Sequence, residues 1–483
     1  MKAVLIWGNQ LNAQHNTAMA TAPDVPIIMI EAWNVCRAHK YHKQKLVLVL
    51  SAMRSFRDEL LSAGKHIIYV QLDPIKNHDW LDELADICQK NNISQLVVMR
   101  SSDRPPQTKL EAWCKEQAIP LETTPNDMFL TPQATFSDWA ETHKRTQMEV
   151  FYRWQRKRLG VLMEGKEPEG GAWNYDAENR RPLPKDDVVP KIDRPELTEH
   201  SKILIPFVTE HFADHPGELD IWWLPTTRQQ SLDWLQQFLA ERLVKFGVYE
   251  DAMKSGEVFL YHSALSALMN VGLLHPKEVV EAALATDAPL ASREGFIRQI
   301  IGWREFMFSL YHYKPLDWKH SNSLGQTKKL EPYWWTLDGD AATEPPVRDV
   351  LNRVRQYGYA HHIERLMVLG NYMLLAGYDP AEVYEWFLCM FVDAYEWVMV
   401  PNIIGMSQYA DGGLDNGGFA TKPYISGSNY LQKMGKWWPT GATAKESSFT
   451  PMYWDFLDRH KDVLQNNHRL RPLYANRARQ LEK

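Results

Sequence analysis

Two neighbouring histidines and an arginine form the cluster in this sequence that is best suited to chemistry. They lie in residues 359–365 (YAHHIER), whose apolar spacing predicts a helix. Because residues three apart share a helix face, we expect His362 and Arg365 to address one site, while His361 points about 100° away. Histidine changes charge near neutral pH and suits proton transfer. Packing alone is the alternative role for the pair.

Hydroxyl and acidic side chains elsewhere are candidate partners for this cluster. Ser263 and Ser266 lie near a predicted helix start, where hydroxyls and free backbone N–H groups suit a phosphate. An ordinary helix-terminal role is the alternative for these serines. Asp393 is the natural partner for Arg365, because a buried guanidinium needs an anion.

Aromatic residues surround further charged positions. The segment 302–306 (GWREF) contains Trp303 and Arg304, and an internal Arg–Glu pair explains its charges as well as a substrate contact does. Trp335, Trp386 and Trp397 are either core residues or a path for electrons to a redox cofactor.

Positive charge is unevenly distributed in a chain whose net charge is −6. Residues 143–158 carry six lysines and arginines, including Arg153 and Arg156, against one acid, Glu149. Such a run is usually a solvated face, but with interleaved aromatics it also suits nucleic-acid phosphates. The net charge argues against a surface that coats nucleic acid uniformly.

The cysteines indicate a reducing compartment. Cys36, Cys88, Cys114 and Cys389 form no C-x-x-C pair, so spacing alone predicts no disulfide framework, zinc site or iron–sulfur site. The N-terminus lacks a signal-peptide pattern, and no apolar run reaches the ~18 residues of a membrane span. We therefore predict a cytoplasmic protein that does not contact membranes.

Short apolar runs that alternate with helical patterns predict an α/β domain over residues 1–135. The predicted strands are 2–7, 27–30, 45–50, 66–69 and 95–98, and the predicted helices are 53–62, 80–90 and 108–117. Ligands of such sheets bind at the carboxyl ends of the strands. This places Asn9, Glu31, Ser51 and Met53 near a candidate pocket, although no G-x-G-x-x-G or P-loop occurs.

The remainder of the chain is predicted to be a basic helix and linker (136–225) followed by an all-helical domain (226–483). Proline and glycine interrupt regular structure from 164 to 196, around Arg180 and Arg181. Helical spacing then recurs in 230–246, 262–271, 276–285, 292–311, 347–357, 361–376, 380–392 and 452–464. A glycine-rich loop over 405–441 contains Tyr424 and Tyr430.

Together these motifs resemble the photolyase/cryptochrome family over nearly the whole chain. Residues 303–306 match its W-R-E-F string, 263–266 its flavin-phosphate element, and 361–365 the H-H-x-x-R of (6-4) photolyases. Asp393 falls where the family's aspartate pairs with that arginine. Further strings resemble the prokaryotic branch of iron–sulfur bacterial cryptochromes and photolyases, namely 51–54 (SAMR), 171–174 (GAWN), 176–180 (DAENR), 405–413 (GMSQYADGG) and 453–456 (YWDF).

The resemblance implies a U-shaped FAD in the helical domain and an antenna chromophore, 6,7-dimethyl-8-ribityllumazine, in the α/β domain. By position, the residues that would hold FAD are Ser263, Leu265, Ser266, Trp303, Arg304, Arg365, Asp393 and Met399. The residues that would hold the antenna are Asn9, Glu31, Ser51 and Met53. Phosphates of DNA would be bound by Arg153, Arg156, Arg180 and Arg181.

The resemblance also assigns roles around a DNA photolesion. His362 would donate a proton to the lesion with His361 in support, and Tyr424 and Tyr430 would line the lesion pocket. Electrons that reduce the flavin would pass through Trp386, with Trp335 as the weaker candidate.

Two positions depart from the pattern of this branch. Its members carry four cysteines for a [4Fe–4S] cluster, whereas the loop before residues 453–456 contains none. We predict no cluster, with Trp437, Trp438 and Phe449 filling its volume by apolar packing. Met399, six residues after Asp393, stands where a polar group usually faces flavin N5.

The function implied is light-dependent repair of (6-4) photoproducts in UV-damaged DNA by a monomeric flavoenzyme. A blue-light cryptochrome that signals through a partner protein is the alternative; the histidine pair, the basic runs and the lack of an extension beyond Lys483 count against it. A third possibility is a hydrolase-like or helical binding protein without flavin, which would be colourless.

Overall fold

A parallel five-stranded sheet forms the centre of the N-terminal region in this computed structural model, which describes residues 1–75, 79–143, 146–184, 186–414 and 417–481. The strands are β1 (Lys2–Leu5), β2 (Ile27–Ile30), β3 (Ile67–Val70), β4 (Gln95–Met99) and β5 (Leu121–Thr124). They are ordered β3-β2-β1-β4-β5, and all neighbours are parallel. Successive side chains of β1 enter separate apolar clusters on its two faces, so the sheet is covered on both sides.

Six helices belong to this region: α1 (Thr17–Thr21), α2 (Trp33–Cys36), α3 (Lys43–Ser62), α4 (Trp80–Lys90), α5 (Arg104–Glu116) and α6 (Gln133–Glu141). The α/β prediction is therefore confirmed, although helices α1, α2 and α6 were not predicted. The strands contain two errors: residues 45–50 are the first half of α3 and not a strand, and β5 was not predicted.

Both errors have a physical cause. The run 46–50 is apolar on every side because α3 is buried between the sheet and helix α8 (Glu199–His211), and an apolar run without periodicity fits a buried helix as well as a buried strand. Strand β5 reads LETT, and as an edge strand it pairs on one side with β4 only. It therefore lacks the apolar pattern of the central strands.

The predicted basic helix is α7 (Met148–Leu159), and the chain that follows it has little regular structure. A short hairpin, β6 (Met163–Glu164) and β7 (Glu167–Pro168), leads into a 3₁₀ turn at Glu169–Gly171. Lys144 and Arg145 of the predicted basic run lie outside the described residues.

The position of Arg156 on α7 does not agree with its predicted role in binding DNA phosphates. Its side chain is fully buried and donates hydrogen bonds to the carbonyls of Leu162, Ala172 and Trp173. The guanidinium therefore fixes the linker against α7 and is not available to a phosphate.

The C-terminal region is helical. Its helices are α9 (Arg228–Glu241), α10 (Leu243–Tyr249), α11 (Ser266–Val271), α12 (Pro276–Leu284), α13 (Leu290–Ile297), α14 (Glu305–Tyr313), α15 (Pro332–Thr336), α16 (Pro345–Tyr357), α17 (His362–Glu364), α18 (Asn371–Ala376), α19 (Pro380–Met390), α20 (Glu396–Val400), α21 (Ser428–Gly435), α22 (Gly441–Lys445), α23 (Phe449–Arg459), α24 (Lys461–Leu464) and α25 (Arg471–Leu481). Short 3₁₀ turns occur at Leu316–His320 and Gly339–Ala341.

Within the described part of the chain, three π-helical segments interrupt these helices, and we name them π1 (Arg298–Arg304), π2 (Arg365–Gly370) and π3 (Pro401–Ser407). Each continues directly from an α-helix: π1 joins α13 to α14, π2 joins α17 to α18, and π3 follows α20. Segments of π-helix are rare and are found frequently at functional sites.

The two regions share one apolar core. A single cluster of buried side chains runs from Val4 in β1 to Phe419 in the C-terminal region. A second cluster lies within the helical region and contains Trp437, Trp438 and Phe449, all of them buried. Among the described helices, none combines the length and apolarity that crossing a membrane requires.

Candidate active site

A cavity of about 840 Å³ opens within the helical region and collects the predicted site residues. Its walls include His362, Tyr424, Tyr430, Ser263, Leu265, Ser266, Trp303, Arg304, Arg365, Asp393 and Met399. Ligand pockets span roughly 300–1,000 Å³, so this cavity has room for a dinucleotide-sized group together with part of a second ligand. Residues separated by up to 167 positions in the sequence therefore meet at one site, as the resemblance implied.

The π-helical segments supply much of the cavity wall. Trp303 and Arg304 belong to π1, Arg365 to π2, and Asn402 and Ser407 to π3. A π-turn adds one residue to the helix and changes which side chains point to one side, so segments of this kind re-aim side chains toward the cavity. Sequence periodicity gave no sign of them, because their apolar spacing resembles that of an ordinary helix.

Arg365 and Asp393 form a two-point ion pair in the cavity wall. The guanidinium donates from Nη1 to Oδ1 at 2.8 Å and from Nη2 to Oδ2 at 3.0 Å, and the Ser266 hydroxyl donates to Oδ2 at 2.6 Å. Burial opposes ionisation of Asp393, but Arg365 and the Ser266 hydroxyl outweigh it and hold the pKa of this carboxyl below its ordinary value. The predicted pairing is confirmed in the geometry, and a fixed cation results beside the cavity.

His362 faces the open cavity at the start of α17. It lies one turn before Arg365, and both side chains line the same space. The His362 side chain is exposed to the cavity, and the enclosing helices lower its pKa by desolvation. The nearby charges of Arg365 and His361 lower this pKa further, which favours the neutral imidazole in the free protein.

His361 points away from the cavity. Its ring is buried and stacks on His262, with ring centroids 4.3 Å apart, and its Nε2 lies 3.5 Å from the Glu364 carboxylate. Glu364 is in turn held by Arg353 at 2.6 Å. His361 thus supports the wall from behind, whereas His262, which the sequence did not single out, itself lines the cavity.

Arg304 connects the cavity to the N-terminal region. Its guanidinium lies 4.1 Å from the Phe129 ring centroid and donates a hydrogen bond to the carbonyl of Met128. An ion pair with Glu305 at 3.5 Å completes its surroundings. Arg304 thus pairs with Glu305 and also lines the cavity. The internal ion pair and a ligand contact, the two roles considered for this segment, are therefore compatible.

A row of contacting aromatic rings leads away from the cavity, and it contains Trp334 where Trp335 was predicted. Phe387 lines the cavity and contacts Trp386 at 5.0 Å between ring centroids. Trp386 packs edge-on against Trp334 at 5.5 Å and donates its indole N–H to the Trp334 carbonyl. Trp334 is fully buried and stacks on the partly exposed Tyr333 at 5.2 Å, so this row of ring contacts continues through Trp334, the neighbour of the predicted Trp335.

The mouth of the cavity, where exposed side chains line it, carries charges of both signs. The cations Arg180, Lys422 and Arg469 line the cavity, and so do the acids Glu149, Asp176, Glu250 and Asp251. Arg180 is exposed and pairs with Asp176 and, at 3.8 Å, with Asp251. Arg153 is exposed on α7 and pairs with Glu149, which also lines the cavity, at 2.9 Å.

The residues expected to hold an antenna are largely occupied by the protein itself. The Glu31 carboxylate accepts two hydrogen bonds at 2.8 Å from Arg54 and one at 3.0 Å from the Leu72 N–H. Ser51 is buried and accepts a hydrogen bond from Ser201 of α8, and Met53 packs beneath Gly8. Asn9 alone of the four residues is partly exposed.

Comparisons with known proteins agree with this geometry. A family model described as deoxyribodipyrimidine photo-lyase-related protein matches residues 4–223. A protein named (6-4) photolyase from Agrobacterium fabrum is 35% identical over 494 aligned residues, which cover 99% of this chain and 96% of that protein. The chain belongs to the photolyase/cryptochrome family.

Solved structures of this family share the fold of the chain. An archaeal photolyase from Sulfolobus tokodaii, solved with two FAD molecules, has a TM-score of 0.60 at 14% identity and covers 96% of this chain and all of its own. A cryptochrome from Synechocystis has a TM-score of 0.61 at 14% identity, covering 96% and 94%. Photolyases and cryptochromes share this fold, so the fold alone does not separate repair from signalling.

Proposed function

We propose that the protein is a DNA photolyase that repairs (6-4) photoproducts with bound FAD under blue light. The observation that carries the proposal is the cavity in which His362, Tyr424 and Tyr430 lie together with the Arg365–Asp393 pair. The (6-4) photolyase of Agrobacterium fabrum, aligned over 99% of the chain, supports the choice of lesion.

The residues present fit FAD. Ser263 and Ser266 flank the start of α11, where hydroxyl and backbone N–H groups suit a pyrophosphate, and the Arg365 cation lies in the same wall. The ring of His262 is also in this wall, and its Nε2 is buried without a hydrogen-bond partner among the described residues. A donor or acceptor left unpaired in this way is costly unless a ligand satisfies it. When bound and reduced, FAD supplies the light-driven electron for repair.

The side chains of the protein would bind the lesion, place positive charge in the cavity and donate a proton. Arg365 places a positive charge where negative charge develops, and Asp393 holds that guanidinium in position through two hydrogen bonds. Tyr424 and Tyr430 line the space in which an extruded lesion would lie. Extrusion from the duplex costs a few kcal/mol, least for a distorted base, and phosphate contacts at Arg180, Lys422 and Arg469 offset part of that cost.

His362 is the proposed proton donor to the lesion. Desolvation by the cavity walls, Arg365 and His361 all lower its pKa in the free protein, which favours the neutral ring. Phosphates that arrive at the cavity mouth and negative charge that develops on the lesion both act in the opposite direction and raise this pKa. His362 would then pass a proton to the lesion within hydrogen-bond reach.

The remaining cofactor expectations also belong to this proposal. We propose that no [4Fe–4S] cluster is bound, since Trp437, Trp438 and Phe449 pack together with the apolar core in the C-terminal region. A ribityllumazine antenna stays a prediction from the family resemblance, and its binding would require Glu31 and Ser51 to exchange their present partners.

The test is an absorption spectrum followed by a repair assay on the purified protein. We expect the bands of oxidised flavin and light-dependent loss of (6-4) photoproducts from duplex DNA, with no loss in the dark. A duplex that carries a cyclobutane dimer serves as the matched substrate. A colourless protein, or a flavoprotein that leaves (6-4) lesions intact under blue light, would contradict the proposal.

A further inference from the structure

Three potential metal ligands from distant parts of the chain converge where the two regions meet. His39 lies in the loop between α2 and α3, while Glu385 and Cys389 lie one turn apart on α19. Their ligand atoms are all within 4.8 Å of one another. His39 Nδ1 lies 2.5 Å from Glu385 Oε1, and Cys389 Sγ lies 3.8 Å from the same oxygen.

We propose that His39, Glu385 and Cys389 bind a divalent transition-metal ion of the zinc class. Imidazole, carboxylate and thiolate are the ligands that zinc uses, and three protein ligands leave a fourth position for water. This inference is independent of the proposed repair function. It replaces the expectation, drawn from cysteine spacing, that the chain holds no zinc site.

The distances require only a small adjustment. With metal–ligand bonds of about 2.0–2.3 Å, neighbouring ligands of a tetrahedral zinc ion lie roughly 3.3–3.8 Å apart. The sulfur–oxygen distance of 3.8 Å already fits. His39 and Glu385 would separate by roughly 1 Å from their present hydrogen bond, and both side chains have the freedom to do so at 31% and 38% exposure.

The surroundings of Cys389 favour an anion at its sulfur. Lys45 is buried beside it, and within the described part of the chain no carboxylate forms an ion pair with this ammonium. The ammonium instead donates to the carbonyls of Leu388 and Ala394 and lies 4.5 Å from the Tyr41 ring centroid. A buried cation without an anion is costly, and a metal-bound thiolate would provide one.

Metal binding at this sulfur is coupled to loss of its proton. Zinc binds cysteine as the thiolate, so binding displaces the Cys389 proton to solvent. The ion also neutralises the Glu385 carboxylate, whose Oε1 lies 3.8 Å from the sulfur.

A second group of potential ligands, His15, Asp127 and His275, provides an internal contrast. His275 Nδ1 accepts the N–H of Lys277 at 3.3 Å, and Nε2 lies 2.7 Å from the Asp127 carbonyl, to which it must donate. Both ring nitrogens are thus used, and no lone pair is left for a metal. We expect no binding there.

The proposed ion would join the N-terminal region to α19. Helix α19 also carries Trp386 and Phe387, the first two rings of the path from the cavity. A metal that binds the folded state alone stabilises it by mass action. We therefore expect Zn²⁺ to raise the melting temperature of the protein.

The test uses full-length protein that has been stripped with a chelator and titrated with Zn²⁺ by calorimetry and with Co²⁺ by absorption. We expect one ion per chain, proton release, and thiolate-to-cobalt charge transfer in the difference spectrum. His39→Ala and Glu385→Gln, at partly exposed positions, should weaken binding by roughly tenfold or more. Cys389→Ser should also abolish the charge-transfer band.

Two control variants separate this site from other ligands. His15→Ala removes a member of the contrasting cluster, and Cys88→Ser removes another buried thiol; neither should change the stoichiometry or affinity. The proposal is overturned if the wild-type protein binds neither ion, or if His39→Ala and Glu385→Gln bind Zn²⁺ as the wild type does. A Co²⁺ complex without thiolate charge transfer would overturn it as well.

Discussion

At the residue scale, the Arg365–Asp393 ion pair is the interaction on which the proposed FAD binding depends most directly. In Asp393→Asn the Arg365 charge is left partly buried without its anion, and breaking such a pair costs roughly 3–5 kcal/mol. We expect the variant to be purified with little FAD. Flavin absorbance per mole of protein measures this, and Asp455→Asn, at an exposed carboxylate on α23, is the control that should retain flavin.

The aromatic path gives a residue-scale prediction with a control at the neighbouring position. Trp386→Phe and Trp334→Phe should strongly slow photoreduction of the flavin, because each removes an indole from the row of contacts that begins at Phe387. Trp335→Phe should leave the rate near that of the wild type. Photoreduction under blue light with an external reductant is the measurement, and equal rates in all three variants would exclude the path.

The adjacent tryptophans Trp334 and Trp335 also show what sequence alone cannot resolve. Side-chain direction on α15, a helix of only five residues, depends on its contacts with α19, and no periodic pattern of that length fixes it. His362 and Arg365 were assigned correctly to one face, because a spacing of three is decisive on a helix. His262 left no such signal, since a lone histidine has no spacing to interpret.

At the scale of elements, the close approach of π2 and π3 shapes the cavity. Gly370 of π2 lies so near Ser407 of π3 that a Cβ atom would overlap the hydroxyl and come within 3.0 Å of the Arg365 carbonyl. Gly370→Ala should therefore destabilise the protein by roughly 1–3 kcal/mol and weaken flavin retention. Urea unfolding and flavin content measure the two effects.

A matched glycine distinguishes crowding from helix propensity. Gly441 lies at the start of α22, and a Cβ atom there would meet nothing within 4 Å. Gly441→Ala should leave stability unchanged or slightly raised. If Gly370→Ala behaved in the same way, the two π-helical segments would not be in the close contact described.

The cap of α12 predicts a pH effect with a defined sign. His275 is buried at the helix N-terminus, and burial lowers its pKa to about 4 from an ordinary value of 6.5. Between those values the unfolded chain binds the proton and the folded chain does not, so His275 destabilises the protein increasingly as the pH falls below 6.5. At pH 5 this amounts to about 2 kcal/mol.

Asparagine is a good helix cap that does not titrate, so His275→Asn isolates this effect. We expect the variant to be less stable than the wild type at pH 7, where the bond to Asp127 is lost, and to recover about 2 kcal/mol relative to it by pH 5. Chemical unfolding at the two pH values provides the comparison. A difference between the proteins that does not change with pH would refute the assignment.

Short apolar runs bounded by turn residues identified the buried strands β1, β2 and β4, and helical spacing of apolar residues identified the amphipathic helices α4 and α16. Helix α3 failed because burial on all sides removes periodicity, and the short helices α20 and α22 contain too few turns to show any. The hydrogen bonds of the π-helical segments span five residues where those of an α-helix span four, and apolar spacing does not reveal this difference.

At the scale of the whole molecule, the site depends on contacts between regions that no local pattern encodes. Arg304 reaches Phe129 across the junction, and Cys389 meets His39 after an interval of 350 residues. Only the resemblance to photolyases related such distant positions, so the cavity was anticipated through family strings. The metal cluster has no counterpart in those strings and became visible only in three dimensions.

The measurement that tests the central claim most directly is (6-4) repair by His362→Ala under blue light. We expect this variant to keep its FAD, since Arg365 and Asp393 are unchanged, and to lose repair because the cavity has lost its proton donor. His468→Ala, at an exposed histidine beside Arg469, should repair as the wild type does. Normal repair by flavin-loaded His362→Ala would contradict the account.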